Sequence, residues 1–295
     1  MKLEYIKTSS DKYIYLKQVL REEFALSSRL ILKLKKDKKI FVNNQFTYLD
    51  RILNNNDKIS VVIDFNEDNS NILATKGKLD ILYEDEYLLI VNKPAKMPVH
   101  PSASHYTDSL CNIVKYYFDI NNINRKIRPV NRLDRNTSGI VIFAKNEYIQ
   151  ECLIKQMSHK QIKKEYIAIC IGGFDKKEGY IDAPISRKQE SIIERCVNKN
   201  GDQAITKYYV LQQNNNFAKL QINLLTGRTN QIRVHMSYIG HPIIGDDLYG
   251  TKSNLINRQA LHAFHISFLH PINKNKISIN SPIPEDMQKL LHFMQ

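Results

Sequence analysis

Apolar residues in the first part of the chain recur at helical spacing and then at strand spacing. Leucine, isoleucine and valine fall on one face of a helix over residues 16–20 and again over residues 30–34, where Ser27 is placed to cap the second helix. Strand-like runs follow at residues 40–42 and 59–63. This succession predicts a small α/β unit that is separate from the rest of the chain.

The remainder of the chain carries longer strand-like runs with helical patterns between them. A polar, turn-rich stretch, D-F-N-E-D-N-S-N, begins at Asp64 and predicts a linker over residues 64–77. Beyond it, strands are predicted over residues 78–92 (a hairpin turning at 84–86), 140–144, 166–171, 204–212 and 217–225, and helices over residues 109–118, 147–159 and 230–238. The prediction is an α+β protein, with a small N-terminal α/β domain over residues 1–63 and a mainly antiparallel, mixed-sheet domain over residues 78–295.

The composition indicates a polyanionic partner. The chain has 295 residues, 42% of them hydrophobic, which is enough to bury a core in each of two domains. Its formal net charge of +13 favours nucleic acid as the partner, although a lysine-rich surface alone would also produce it.

Other features of the sequence bear on where the protein is located and on its oligomeric state. The four cysteines are scattered without a C-x-x-C pair, which predicts reduced thiols and a cytoplasmic location. The N-terminus has no signal-like apolar region and no apolar run approaches the length of a membrane span, so no membrane association is expected. We expect a monomer.

One polar turn contains the strongest candidate for a catalytic residue. The residues P-V-N-R-L-D-R-N-T-S-G, positions 129–139, run directly into the apolar strand 140–144 and place one carboxylate, Asp134, beside a buried strand. Arg132 and Arg135 flank it, and their charges are expected to favour its ionised form, which a nucleophile or base requires. An isolated R-L-D tripeptide would be more typical of an ordinary surface turn.

A second block lies far downstream. The residues L-L-T-G-R-T-N-Q-I-R-V-H-M occupy positions 224–236 and are followed shortly by G-H-P-I-I-G-D-D-L-Y-G. Thr229 is predicted to cap a short helix, which places Arg233 one turn inside that helix and Arg228 in the loop before it. One of these guanidinium groups can pair with Asp134 and the other with a phosphate.

Both blocks resemble signature motifs of the RluA-type pseudouridine synthases, H-R-L-D-x-x-T-S-G and L-x-T-G-R-T-H-Q-I-R-V-H. Shorter segments resemble further elements of that family: Y-L-L-I-V-N-K-P-A-K-M-P-V-H-P at 87–101, K-E-Y-I-A at 164–168, L-H-A at 261–263 and F-L-H-P at 268–271. The resemblance spans residues 78–291. The chain departs from it at Asn131 and Asn230, where histidine is usual, and at Lys96, where glycine is usual. Asparagine can hydrogen-bond like histidine but cannot titrate like it.

The resemblance implies an enzyme that detaches uracil from a uridine within RNA, turns it and rejoins it through C5, with no cofactor and no metal. Asp134 would be the essential catalytic residue, with Tyr166 stacked on the flipped base and Arg233 holding the Asp134 carboxylate. The other residues implied to bind the substrate are Lys93, Asn131, Arg132, Leu133, Arg228 and Ile232. Whether Asp134 attacks the nucleoside or removes the C2′ proton stays open.

The basic helix near the N-terminus is similar in sequence to a second known domain. Between Arg29 and Lys39, six positive residues accompany one negative residue, Asp37. The order L-S-S-R-L and then K-L-K-K-D-K-K-I-F-V-N resembles the small RNA-binding domain named after ribosomal small-subunit protein four (the S-four domain). On that basis Arg29, Lys33, Lys36 and Lys39 are predicted to contact RNA phosphates. The plain alternative is a solvated helix face.

Other functions find less support in the sequence. No H-E-x-x-H or comparable ligand set indicates a metal hydrolase, and the ten glycines form no loop typical of a methyltransferase. The main alternative is a non-catalytic RNA-binding or ribosome-assembly protein built on a synthase fold. The intact set of Asp134, Tyr166, Arg228 and Arg233 argues against it. Large-subunit ribosomal RNA is the favoured substrate because of the N-terminal domain, with transfer RNA as the alternative.

Overall fold

The computed structural model describes residues 1–65, 67 and 69–293, which begin with a small unit of helices and strands. Its strands are β1 (Lys2–Ile6), β2 (Ile40–Val42), β3 (Gln45–Phe46) and β4 (Lys58–Val62), and they form an antiparallel sheet in the order β1-β4-β2-β3. Its helices are α1 (Leu16–Gln18), which continues as a π-helical segment (Val19–Glu23), and α2 (Ser28–Lys36). This segment therefore has the mixture of helices and strands that the sequence pattern predicts.

Helix α2 forms as its sequence pattern predicts. The side chain of Ser27 accepts a hydrogen bond from the backbone N–H of Leu30 at 3.2 Å, which satisfies one of the free donors of the first turn. The apolar residues at helical spacing, Leu30, Ile31 and Leu34, are all buried. Their burial turns the basic residues of the helix towards its outer side.

The rest of the chain builds a nine-stranded sheet within the described residues. Its strands run in the order β5-β6-β7-β14-β8-β13-β12-β9, with β15 paired to β14, and every pair is antiparallel except β7 with β14. The strands are β5 (Ile81–Glu84), β6 (Leu88–Lys93), β7 (Ser138–Ala144), β8 (Lys163–Ile171), β9 (Glu178–Asp182), β12 (Ile205–Gln213), β13 (Phe217–Leu224), β14 (Leu261–Leu269) and β15 (Lys276–Asn280). This is the predicted α+β fold with a mainly antiparallel mixed sheet.

The remaining elements flank this sheet. They are α3 (Leu110–Ile120), α4 (Glu147–Ser158), α5 (Gln231–Tyr238), α6 (Glu285–His292) and a separate two-stranded hairpin of β10 (Ile185–Arg187) and β11 (Arg195–Val197). The helices predicted over 109–118, 147–159 and 230–238 correspond to α3, α4 and α5. Strands β1, β3, β9, β10, β11, β14 and β15 and helix α6 were not predicted. They are short or lie near an end of the chain, apart from β14, whose polar histidines interrupt its apolar pattern.

Both faces of the main sheet are covered, and alternate residues of each strand divide between them. In β6, Leu89 and Val91 pack in the same cluster as Tyr166, whereas Leu88 and Ile90 pack with the core of the N-terminal unit and with α4. The continuous apolar run L-L-I-V in β6 reflects this double burial. The candidate active site lies on the face of the sheet that carries Tyr166.

Residues of the predicted linker pack against the segment around Arg128. The carboxylate of Glu67 pairs with the guanidinium of Arg128, and one of the two hydrogen bonds measures 2.7 Å. Asn69 is buried, and its amide bonds the backbone at Arg125 and Ile127. Asn66 and Asp68, which also belong to the predicted linker, lie outside the described residues. The contacts fix this segment along the loop that leads to the motif at 129–139.

None of the helices in the described ranges is both long and apolar enough to cross a membrane.

Candidate active site

The motif with Asp134 forms a tight turn that the surrounding residues hold by its backbone. Thr137 N–H donates to the carbonyl of Asp134 at 3.0 Å, which closes the turn. The carbonyl of Arg135 accepts hydrogen bonds from Lys93 Nζ at 3.1 Å and from Met97 N–H at 3.1 Å. Such backbone anchoring fixes the position of Asp134 without involving its carboxylate.

Strand β7 begins immediately after this turn and lies very close to β14. Gly139 has φ +115°, and a Cβ atom there would lie 2.2 Å from the carbonyl oxygen of Ala263. Only glycine permits both the backbone angle and the close approach. Next to it, Ser138 Oγ lies 2.9 Å from Nδ1 of the buried His262. The parallel pairing of β7 and β14 thus sets where the turn emerges from the sheet.

Helix α5 brings Arg233 to the carboxylate of Asp134. One guanidinium nitrogen, Nη1, lies 3.5 Å from Asp134 Oδ2. The other side of the same fork is bound to Asp246, with Nε to Oδ2 at 2.7 Å and Nη2 to Oδ1 at 2.7 Å. This bidentate pair orients Arg233 so that its remaining nitrogen faces Asp134. The predicted role of Arg233 beside Asp134 agrees with this geometry.

Asp246 is a site residue that was not predicted from the sequence. Its carboxylate is fully buried and also accepts hydrogen bonds from the N–H groups of Leu248 at 3.0 Å and Tyr249 at 3.1 Å. A buried carboxylate needs such partners because its desolvation is costly. The available signal was a carboxylate directly after Gly245, inside the block that follows Arg233.

Asn230 joins this network and corrects the predicted start of α5. Thr229 was predicted as the cap, but the N-cap is Asn230, whose backbone is left-handed at φ 56° and whose side chain does not cap the helix. Its side-chain oxygen accepts a hydrogen bond from Arg233 at 3.3 Å, and its amide nitrogen donates to the hydroxyl of Tyr249 at 3.0 Å. Asparagine tolerates the left-handed conformation, and Asn230 helps to hold the side chain of Arg233 in position.

The electrostatics of Asp134 differ from the prediction. Arg132 and Arg135 were expected to favour its ionised form, but both side chains are exposed and the ion pair of Asp134 is with Arg233. Burial raises the pKa of Asp134 above its ordinary value, against the opposing charges of Arg233 and Lys93. With 31% of its side chain exposed, Asp134 remains open to a ligand.

Tyr166 lies on β8 at the floor of the same cavity. It is buried, and burial together with the nearby Asp134 raises its pKa well above the ordinary tyrosine value. Its phenol is therefore protonated at neutral pH and can donate a hydrogen bond. The predicted pair of Asp134 and Tyr166 is brought together as a carboxylate and a phenol that influence each other.

These groups share one open cavity of about 920 Å³. The predicted residues that line it are Asn131, Arg132, Leu133, Asp134, Tyr166, Arg228, Ile232 and Arg233. His100 and Lys164, which were not predicted as site residues, also line it. Burial lowers the pKa of both side chains, which favours their neutral forms. The cavity has the positive charge that a nucleic-acid backbone requires, with one partly buried carboxylate inside it.

Lys93 does not line this cavity, which corrects its predicted contact with the substrate. Its side chain is fully buried beneath the turn, and its ammonium group donates to the carbonyls of Pro94 at 2.8 Å, Met97 at 2.7 Å and Arg135 at 3.1 Å. Burial lowers its pKa to about 7. Lys93 supports the turn that carries Asp134.

Asn131 and Arg228 line the cavity and also bond the protein itself. The amide of Asn131 donates to the carbonyl of Ile140 at 3.0 Å and accepts from the N–H of Ile142 at 2.9 Å, so it fastens the motif to β7. Arg228 is exposed, and its Nε donates to the carbonyl of Gln203 at 3.0 Å. Its Nη1 lies 3.8 Å from Asp202 Oδ2.

The four basic residues predicted to contact RNA in the N-terminal unit fall into two pairs. Arg29 and Lys36 are exposed. Lys33 forms an ion pair with Glu147 of α4 at 2.9 Å and lies 3.5 Å from the ring centre of Phe65, and Lys39 lies 4.6 Å from the same ring centre. The second pair therefore makes contacts within the protein.

No group of three or more histidine, cysteine, aspartate or glutamate side chains that could hold a metal occurs in the part of the chain that the structure describes.

The fold and the site together point to one class, the enzymes that convert uridine in RNA to pseudouridine. Residues 87–238 match the sequence model of the RNA pseudouridylate synthase family, and the chain belongs to this family in its RluA type. It is an RNA pseudouridine synthase.

Named relatives extend this assignment over most of the chain. The chain is 37% identical over 270 residues to the uncharacterized RNA pseudouridine synthase YjbO of Bacillus subtilis (strain 168), covering 91% of this chain and 95% of that one. It is 36% identical over 232 residues to the ribosomal large subunit pseudouridine synthase D of Escherichia coli (strain K12), covering 74% of this chain and 71% of that one. Among solved structures, the human RNA pseudouridylate synthase domain containing 1 has the same fold, with a TM-score of 0.59 at 23% identity over 74% of this chain and 94% of that one.

Proposed function

We propose that this protein converts specific uridines of large-subunit ribosomal RNA to pseudouridine, with Asp134 as the catalytic residue. The observation that carries the proposal is the convergence of Asp134, Arg233 and Tyr166 in one basic cavity, with Arg233 Nη1 at 3.5 Å from the carboxylate. Since isomerisation adds and removes nothing, the reaction requires only a pocket that holds uracil while its bond to the ribose moves from N1 to C5.

Each of the three groups has a role in this scheme. Asp134, once ionised, is the only carboxylate among the residues that line the cavity within the described ranges, and it serves either as nucleophile towards the nucleoside or as base at C2′. Arg233 neutralises the carboxylate and fixes its direction. Tyr166, as a protonated phenol with a flat ring, stacks on the flipped base and stands near its C5 proton.

The substrate is proposed from the relatives and from the charge of the chain. Several relatives at 34–36% identity carry the name ribosomal large subunit pseudouridine synthase D. The net charge of +13 suits a large folded RNA. We also propose that the N-terminal unit binds RNA through the exposed Arg29 and Lys36, as the resemblance to the S-four domain suggests. Transfer RNA is the competing substrate.

The test is tritium release from C5-labelled uridine in unmodified ribosomal RNA and in unmodified transfer RNA, assayed separately. Asp134→Asn, which keeps the shape of the side chain, should abolish release, and the exposed Asp175→Asn should retain it. Thermal unfolding of both variants would check that they are folded. Release from transfer RNA alone would replace the proposed substrate. Binding of RNA without any release by the wild type would favour the non-catalytic RNA-binding protein.

A further inference from the structure

Arg258 is a buried charged residue that lies beside the turn carrying Asp134 but does not line the cavity. Its side chain is only 1% exposed, and it comes shortly before β14 in the chain. Burying a guanidinium group is costly unless its N–H groups find acceptors. The acceptors of Arg258 therefore show what this side chain holds together.

One terminal nitrogen of Arg258, Nη1, joins the turn to the start of β14. It donates to the carbonyls of Asn136 at 3.2 Å, Gln259 at 3.0 Å and Leu261 at 3.3 Å. Asn136 lies two positions after Asp134 in the turn. Leu261 is the first residue of β14 and lines the cavity. A single nitrogen atom thus fixes the turn relative to the strand.

The other side of the guanidinium is held by the helix at the end of the chain, α6. Arg258 Nε donates to Asp286 Oδ2 at 2.6 Å and Nη2 donates to Oδ1 at 2.8 Å, a bidentate pair that sets the orientation of the fork. Asp286 lies in the first turn of α6. Met287 and Leu290 of that helix are buried in the cluster that contains Tyr166. The apolar packing of α6 therefore holds Asp286, and Asp286 directs Nη1 towards the turn.

Arg258 and Lys93 bind successive carbonyls of this turn. Lys93 Nζ donates to the carbonyl of Arg135 at 3.1 Å, and Arg258 Nη1 donates to the next one, that of Asn136. Burial lowers the pKa of Lys93, Asp134 opposes this, and the positive charge of Arg258 adds to it. Because the two carbonyls directly follow Asp134, the two cations restrict the backbone that carries its carboxylate.

We propose that Arg258, oriented by Asp286, is a positioning residue for Asp134. It holds the turn through the carbonyl of Asn136 and so keeps the carboxylate of Asp134 beside Arg233. This inference rests on the proposed function, since it concerns how the same carboxylate is held for the reaction. Arg258 does not contact the substrate in this scheme, so its loss should lower kcat and leave KM nearly unchanged.

The kinetic test compares two neighbouring carboxylates in the first turn of α6. Asp286→Asn keeps the shape of the side chain but removes the charge that orients Arg258, so kcat for tritium release should fall about tenfold or more. Since 42% of the Asp286 side chain is exposed, the variant should fold. Glu285→Gln, at the exposed position next to it, is the control and should match the wild type. A wild-type kcat in Asp286→Asn, or a change in KM alone, would overturn the proposal.

Substitutions of Arg258 itself separate its donor from its charge. Arg258→Met removes both and should lower kcat further than Asp286→Asn does. Arg258→Lys keeps a positive donor that can reach a carbonyl but cannot form the bidentate pair, so its kcat should lie between those of Arg258→Met and the wild type. Equal kcat values for Arg258→Met and the wild type would contradict the assigned role.

Hydrogen exchange separates positioning both from a general loss of stability and from the proposed function. The N–H of Thr137 closes the turn at the carbonyl of Asp134. In Asp286→Asn, measured by mass spectrometry on peptides that span this turn, it should exchange about tenfold faster, whereas β8 and β13 should exchange as in the wild type. This result would support the positioning role even if the wild type released no tritium, in which case only the proposed function would fail. Unchanged exchange at the turn, or equal acceleration in β8 and β13, would reject the positioning role.

Discussion

Asp134 lies between opposing influences on its charge. Burial raises its pKa, and the positive charges of Arg233 and Lys93 oppose that rise. Arg233 pairs less closely with Asp134, at 3.5 Å, than with Asp246, at 2.7 Å. At the residue scale, Asp246 therefore decides how Arg233 meets Asp134.

Replacing Asp246 should disturb both stability and catalysis. Asp246→Asn keeps an acceptor for the N–H groups of Leu248 and Tyr249 but removes the charge that orients Arg233. Breaking this buried pair should lower the free energy of unfolding by about 3 kcal/mol. The value of kcat should fall because Arg233 is free to move, and denaturant unfolding with tritium release would measure both effects. Asp247→Asn, at the exposed neighbouring position, is the control.

Lys93 and Asp134 should together set the pH dependence of the reaction. On the acid side, Asp134 must lose its proton, and since its pKa is raised, kcat/KM should rise with pH above the ordinary range of aspartate. On the alkaline side, the pKa of Lys93 is lowered to about 7. Loss of that proton removes one of the three hydrogen bonds beneath the turn, so kcat/KM should then fall.

The pH profile of tritium release checks this assignment. Lys93→Met should have a lower kcat and should lack the alkaline limb, while its acid limb remains. Lys177→Met, at an exposed position, should keep both limbs. An alkaline limb that persists unchanged in Lys93→Met would show that another group titrates there.

At the scale of elements, the contact between β7 and β14 positions the turn that carries Asp134. The two strands pair in parallel where Ser138 meets His262 and Gly139 meets Ala263. Strand β14 joins β7 to β8, so it links the strand that follows Asp134 to the strand that carries Tyr166. The spacing of the Asp134 and Tyr166 side chains therefore depends on how closely β7 and β14 approach each other.

Adding a single methyl group at Gly139 should disrupt this arrangement. In Gly139→Ala the new Cβ would meet the carbonyl oxygen of Ala263 at 2.2 Å, in a backbone conformation at φ +115° that alanine disfavours. We expect a loss of about 3 kcal/mol or more in the free energy of unfolding, measured by denaturant. Gly240→Ala has a similar φ of +84° with nothing within 4 Å, so it should cost only about 1 kcal/mol. Equal costs would mean that the contact with Ala263 is easily relieved.

At the scale of the whole molecule, the two faces of the main sheet contact different parts of the chain. One face carries the cavity with Asp134, and the other packs against α4 and the N-terminal unit. The hydroxyl of Ser27 donates to Glu151 at 2.6 Å and Lys33 pairs with Glu147 at 2.9 Å, so polar contacts accompany the apolar ones. The exposed Arg29 and Lys36 belong to the same helix as Lys33.

Salt dependence should distinguish the two pairs of basic residues in the N-terminal unit. For binding to a ribosomal RNA fragment, Arg29→Gln/Lys36→Gln should weaken affinity and reduce the slope of log K against log salt by up to about two. Lys33→Gln, which removes an ion pair within the protein, should leave the slope nearly unchanged. Filter binding over a range of salt concentrations is the measurement. A slope that falls equally in both variants would place Lys33 on the RNA.

The sequence by itself determined the local chemistry of this protein. Helix α2 with its cap at Ser27 and the strand that follows Asp134 could be predicted because each depends on neighbours in the chain. The motif residues Asp134, Tyr166 and Arg233 could be named because their segments resemble a known family. Thr229 was misjudged as a cap because the left-handed turn at Asn230 depends on contacts with distant residues.

The tertiary structure alone decided how these residues act. The pKa of Asp134 follows from its burial and from Arg233, ninety-nine positions away in the chain, and not from the arginines beside it. Lys93 became a support for the turn, and Asp246 became the partner that directs Arg233. Burial and electrostatic partners are set by elements that meet only after folding, so no pattern of neighbouring residues could reveal them.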